Sequence, residues 1–165
     1  MTQITLKNTI QLNLIAYYQI LGGFYGLYSI LYILANQPTL SGLGLIIYLL
    51  IIGLYAFSIY CGNLIRLRKL KGLELSKWSQ LTQLFQFNIL GVAFWYISGF
   101  GISIGYGKVD EFFQFVYLNF SSMYFKYNLK ETEDFYFFIN FVPLVVIFFI
   151  EKLERKAKNE KTEKI

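Results

Sequence analysis

The feature that most constrains this chain is where it carries no charge. No Asp, Glu, Lys or Arg occurs from Asn8 to Ile65, from Trp78 to Gly107, or from Phe135 to Ile150. A helix on the surface of a water-soluble domain needs a polar stripe recurring every turn, so uncharged runs of this length point to lipid. Composition agrees, with 15% charged residues against about 25% in soluble domains. A chain of 165 residues has room for one domain and no separate soluble catalytic unit.

Four apolar segments follow, over 14–35, 43–62, 84–104 and 135–152. About 20 helical residues rising about 1.5 Å each cross a hydrocarbon core of about 30 Å. The fourth uncharged run is the shortest, so Lys152 is expected to snorkel toward the headgroups. Lys7 before the first apolar stretch resembles the start of a secretion signal. The stretch exceeds the roughly 7–15 residues of a signal core and lacks a small-residue cleavage site, which favours a retained span. Asn36, Gln37 and Pro38 end that span.

The expected fold is therefore an all-α integral membrane domain over 1–165, with four transmembrane helices in an up-down bundle. The 105–134 segment is an extracytoplasmic loop. Its aromatic, β-favouring runs on either side of Ser121-Ser122 predict a small hairpin, with an interfacial helix as the alternative.

Basic residues set the orientation. Arg66, Arg68, Lys69, Lys71 and Lys77 lie between the second and third segments, and six more Lys and Arg lie from Lys152 onward. The first connection has none, and the third sets Lys108, Lys126 and Lys130 against Asp110, Glu111, Glu131, Glu133 and Asp134. The positive-inside rule then places both termini and the tail over 153–165 in the cytoplasm. Arg66, Arg68, Lys69 and Lys71 are candidates for contact with anionic headgroups, with Trp78 as an interfacial anchor. This location accounts for the net charge of +5 without nucleic acid.

Few residues suggest chemistry. With no His and one Cys, the chain cannot close an intramolecular disulfide or build a His- or Cys-rich zinc or haem site. No cofactor is expected. The polar residues of the apolar segments (Asn13, Gln19, Ser58, Asn63, Gln86, Asn88, Ser98 and Asn140) are neutral, whereas proton-driven carriers use an ionisable group in the membrane. Gly22, Gly23 and Gly26, and separately Gly101 and Gly105, have the spacing that lets helix backbones approach closely, within one chain, between copies or onto a partner. Cys61 is a site for acylation or simply a small packing residue. The acidic pairs are either a cation site or charge that keeps the outer loop in water.

The blocks YYQILGGFYG (Tyr17 to Gly26), IYCGNLIRLRKLKGLELS (Ile59 to Ser76) and FFINFVPLVVIFFI (Phe137 to Ile150) together resemble small four-span membrane proteins of Bacteroidota-type bacteria. The resemblance implies a bacterial inner membrane and brings no activity. The expected role is a non-enzymatic accessory or scaffold subunit, acting through helix contacts and the outer loop on a membrane-protein partner or a second copy. A small oligomeric channel or facilitator for a neutral solute is the alternative.

Overall fold

Two long apolar helices, α1 (Thr9–Asn36) and α2 (Gly42–Arg66), run side by side in opposite directions. Small residues set their approach: Gly23 meets the Tyr55 carbonyl and Ile59, Gly26 lies on the Tyr55 ring, and Gly62 meets the Ala16 carbonyl. Both are long and apolar enough to cross a membrane, with mean hydropathy 1.3 and 2.2. A computed structural model describes residues 9–36, 42–90, 92–109, 112–127 and 135–162. The turn around Pro38 and the acidic pairs of the 105–134 segment lie outside these residues.

At the end of α2 the chain reverses. The Lys69 N–H donates to the Leu64 carbonyl and the Arg68 N–H to that of Ile65, with Arg68 left-handed at φ 58°. These are the paired bonds of a helix stop in which glycine is usual. The short helix α3 (Leu70–Leu81) then packs back on α2, with Gly72 against the backbone of Leu64 and Ile65. The last helix, α4 (Phe141–Thr162), closes this end of the molecule. Leu12, Ile15 and Ala16 of α1, Ile65, Leu73, Ile150 and Leu153 form one buried cluster there. Lys77 of α3 reaches Glu154 of α4 at 2.7 Å.

The rest is sheet, and it overturns the four-helix expectation. Residues 84–104 are not a membrane helix: they hold β1 (Phe85–Ile89), β2 (Val92–Tyr96) and the start of β3 (Phe100–Val109). Residues 135–152 are half strand, β6 (Phe135–Asn140), and half helix, the start of α4. The 105–134 segment is not a separate hairpin loop either. Its two aromatic runs are strands, β4 (Phe112–Phe120) and β5 (Met123–Tyr127), but they do not pair across Ser121-Ser122.

The physical reason is the period. Gln86 and Asn88 are buried while Phe85 and Ile89 are exposed. Gly101, Ser103, Gly105 and Gly107 alternate with Phe100, Ile102, Ile104 and Tyr106. Absence of charge is common to helix and strand in an apolar setting; a two-residue alternation belongs to a strand.

All pairings are antiparallel, in the order β4-β3-β6-β1-β2-β5. Residues 92–109 and 112–127 form one long ribbon, with Val92 opposite Tyr127, Tyr96 opposite Met123, Phe100 opposite Phe120 and Val109 opposite Phe112. Between Tyr96 and Phe100 three residues oppose the two serines. The ladder continues through this bulge, from the Ile97 N–H to the Ser122 carbonyl (2.8 Å) and from the Ser121 N–H to the Gly99 carbonyl (2.7 Å). Here the ribbon doubles back, because β2 pairs with β1 and β3 with β6, and those two are themselves antiparallel.

The doubled ribbon forces a curl. Laid flat, edge strands β4 and β5 would stand about 24 Å apart, five spacings of about 4.8 Å. The chain from Phe120 to Met123 spans at most about 11 Å in three Cα steps. The two edges therefore meet at this end. A second bulge in β3, between Ile104 and Gly107, adds to the bend.

Gly99 turns the bend at φ +101°, and a Cβ there would meet the Tyr18 ring at 2.6 Å. Gly99→Ala is expected to lower stability by about 1–3 kcal/mol from backbone strain alone. Gly53, which faces open space inside α2, is the control: Gly53→Ala should raise stability by about 0.5–1 kcal/mol. Thermal unfolding of both variants in one detergent checks the opposite signs.

Candidate functional site

The bend of the ribbon is also where the sheet meets the helices. Gly22 of α1 lies against the backbone of Ser98 and Gly99, so close that a Cβ at position 22 would overlap it. Around this contact is a buried set of hydroxyls and amides. The Ser98 hydroxyl donates to Ser58 Oγ at 3.0 Å, and Ser58 donates to the Gln19 carbonyl at 3.2 Å. Ser76 of α3 donates to Gln19 Oε1 at 3.0 Å. The Ser98 N–H donates to Gln83 Oε1 at 2.8 Å, and Gln83 Nε2 in turn donates to the Ser79 carbonyl.

Ser121 completes the joint: its Oγ accepts from the Gly99 N–H at 2.7 Å and donates to the Gly22 carbonyl at 2.9 Å. Tyr18 and Tyr55 donate to the carbonyls of Phe100 and Ile97. Apart from the local Gln83–Ser79 bond at the end of α3, these bonds tie one element to another or complete the bend. Neither Ser58 nor Ser98 has a base among its partners, so the node holds the structure together without the arrangement of an activated nucleophile.

A second polar group lies inside the curl. Gln86, Asn88, Ser103 and Asn140 are buried, and register places them on one face of β1, β3 and β6 beside Tyr136 and Phe138. Asn140 is partly satisfied. Its Oδ1 accepts from the Ile102 N–H at 3.1 Å and from the Val142 N–H at 3.2 Å, which caps the start of α4. Both polar atoms of Gln86, the Oδ1 of Asn88 and the Ser103 hydroxyl have no protein partner. A buried polar atom left without a bond costs about 1–3 kcal/mol.

Gly22 packs against the sheet bend, and Gly23 and Gly26 against α2. Gly101 and Gly105 have no helix to pack: they are on β3, where Gly105 sits opposite Phe138. Arg66 and Lys71 are exposed at the α2–α3 reversal, while Lys69 is half-buried. Arg68 Nη2 donates to Asn13 Oδ1 at 3.1 Å, so this cation ties the reversal to α1. Lys77 is held in its ion pair with Glu154. Cys61 is fully buried on α2, out of reach of an acylating enzyme in this conformation. Among the described residues no three His, Cys, Asp or Glu side chains group as a metal site.

No motif in the sequence marks Ser76, Ser79, Gln83, Ser121 or Ser122 as functional positions. The available signal was their type: small or amide residues interrupting aromatic and aliphatic runs.

Two outcomes are expected. Gly22→Ala should lose about 1–3 kcal/mol, because the added methyl has only backbone to displace. Gln86→Leu should instead gain about 1–3 kcal/mol by removing two unpaired buried atoms. Thermal unfolding of the purified variants checks both, and a Gln86→Leu protein less stable than the parent would mean that the amide has a partner. Comparison with protein-family models, with curated proteins and with solved structures finds no match to this chain.

Proposed function

We propose that this chain is a membrane-anchored accessory or scaffold subunit. The α1–α2 hairpin crosses a bacterial cytoplasmic membrane, and the edge strands β4 and β5 offer the contact to a protein partner. The observation that carries the reading is how the hairpin is exposed. Tyr28, Leu31 and Tyr32 on α1, and Ile46, Leu49 and Leu50 on α2, are 57–67% exposed. An apolar surface of this extent in water would drive aggregation; in a bilayer it is the ordinary outer face of a spanning helix.

Length supports the crossing. Residues 10–36 rise about 40 Å and residues 44–66 about 35 Å, enough for a core of about 30 Å. Charge supports the direction: Arg66, Arg68, Lys69 and Lys71 gather at the end of α2, where α4 also brings Lys152 and Arg155. By the positive-inside rule that end is cytoplasmic and contacts anionic headgroups.

The partner contact rests on the sheet. Among the described residues β4 and β5 are each paired on one side only, and a sheet edge is a template onto which another chain adds a strand. Native mass spectrometry of the tagged protein, extracted gently from its own membrane, tests the reading. A stable heteromer of defined stoichiometry is expected. A bare monomer or homo-oligomer would overturn the accessory role.

A further inference from the structure

We infer that the outer face of the curled sheet is itself a lipid-facing surface, in contact with bilayer acyl chains at the same depth as the upper half of the hairpin. The inference rests on the reading that α1 and α2 cross the membrane, and adds that the sheet is immersed with them.

The first observation is the height at which the sheet is attached. Its bend is bonded to Gly22 and Ser58. Ser58 lies eight residues before Arg66, about 12 Å along the helix. If the basic residues at the end of α2 mark the membrane surface, the bend is well inside a core about 30 Å thick. From there the sheet goes upward: Phe94 and Met123 pack on the cluster of Ile30, Ile51 and Tyr55, above the bend. α3 and α4 occupy the side below. A hairpin that spans therefore carries the sheet into lipid with it.

The second observation is inverted patterning. Inside the curl the buried amides and hydroxyl of Gln86, Asn88, Ser103 and Asn140 lie beside the aromatic cluster of Trp95, Tyr136 and Phe138. Outside, Phe85, Ile104, Val116, Leu118 and Phe137 are 44–64% exposed. Apolar-out and polar-in is the alternation of strands whose solvent is hydrocarbon.

The third is where charge returns. At the bend, the ends of β2, β4 and β6 and the starts of β1, β3 and β5 meet, and no charged residue adjoins them in sequence. Charge returns at the opposite ends of the strands, with Lys108, Asp110 and Glu111 near the close of β3 and Lys126 and Lys130 to Asp134 between the end of β5 and β6. In sequence, two of the three strand connections at that end carry charge, and the β1–β2 turn at Leu90 carries none.

Hydrocarbon offers no hydrogen bonds to the free backbone of β4 and β5. The connection Ser121-Ser122 holds these edges toward each other where it joins them, and the partner proposed above is what pairs the remainder.

Depth-dependent fluorescence quenching tests the inference. In a Cys61→Ala background, single cysteines are introduced as Leu31→Cys, Val116→Cys, Leu118→Cys and Arg155→Cys. Each is labelled with an environment-sensitive dye, and the protein, purified together with the partner it carries from its own membrane, is reconstituted in phosphatidylcholine–phosphatidylglycerol vesicles. Labels at 116 and 118 should be quenched by mid-chain doxyl lipid as strongly as the label at 31, and several-fold less by aqueous iodide than the label at 155.

If 116 and 118 are reached by iodide like 155 while 31 stays lipid-quenched, the sheet is in water: this inference falls and the hairpin reading survives. If 116 and 118 resist both quenchers, protein covers the face, which overturns lipid contact equally. Iodide access at 31 would overturn the spanning hairpin and this inference with it. The unsubstituted protein provides a check free of folding artefacts: a diazirine-tailed lipid should leave adducts on the peptide containing Val116 and Leu118, and their absence beside labelled α1 peptides would count against the inference.

Discussion

Two serines hold the architecture. Ser121 and Ser122 join the strands at opposite edges of a six-stranded sheet, and so short a link cannot reach across a flat one. The sheet has to curl, and the ribbon of 92–109 with 112–127 has to double back where Gly99 turns with positive φ. The same bend brings sheet backbone directly against the backbone of α1, whereas Phe94, Tyr96 and Met123 meet the hairpin through side chains. Gly22 and Gly99 together remove the side chains that would keep the backbones apart, and Ser121 bonds to both. Curl and docking both depend on this one point.

Around that joint the polar residues divide by task. Ser58, Ser76, Gln83 and Ser98 are spent on bonds between α1, α2, α3 and the bend. In an apolar setting such bonds locate one element on another where hydrophobic burial cannot discriminate between positions. Gln86, Asn88 and Ser103 instead face the inside of the curl with unpaired atoms. Trp95, Tyr136 and Phe138 share that inner face, but a sheet in water would turn the amides outward and would not leave Phe85, Phe137, Val116 and Leu118 on its outer surface. The reverse arrangement is the strongest physical statement the sheet makes about its surroundings.

Charge is confined in a comparable way. Arg68 ties the α2–α3 reversal to Asn13, and Lys77 closes α3 onto α4 through Glu154, whereas Arg66 and Lys71 remain exposed. Two of the five basic residues from Arg66 to Lys77 thus have work inside the protein. On α4 the exposed Arg155 faces Glu151 one turn earlier at 3.8 Å. Arg68 tolerates a left-handed backbone that favours glycine, and its bond to α1 is the compensation visible for that strain.

The sequence by itself determined where charge is excluded, that its first two apolar segments are helices long enough to cross a membrane, and that Gly22, Gly23 and Gly26 mark a close approach. These follow from local composition and spacing. It did not separate helix from strand over 84–104 and 135–140, because a charge-free run satisfies both, although Gly101, Ser103, Gly105 and Gly107 at every second place carried the strand signal. Only the tertiary structure decided that the aromatic runs around Ser121-Ser122 are opposite edges of one sheet and that Gly22 faces a strand bend. Both are contacts between distant segments. Strand pairing and the facing of elements are set by partners tens of residues away, which no local pattern names.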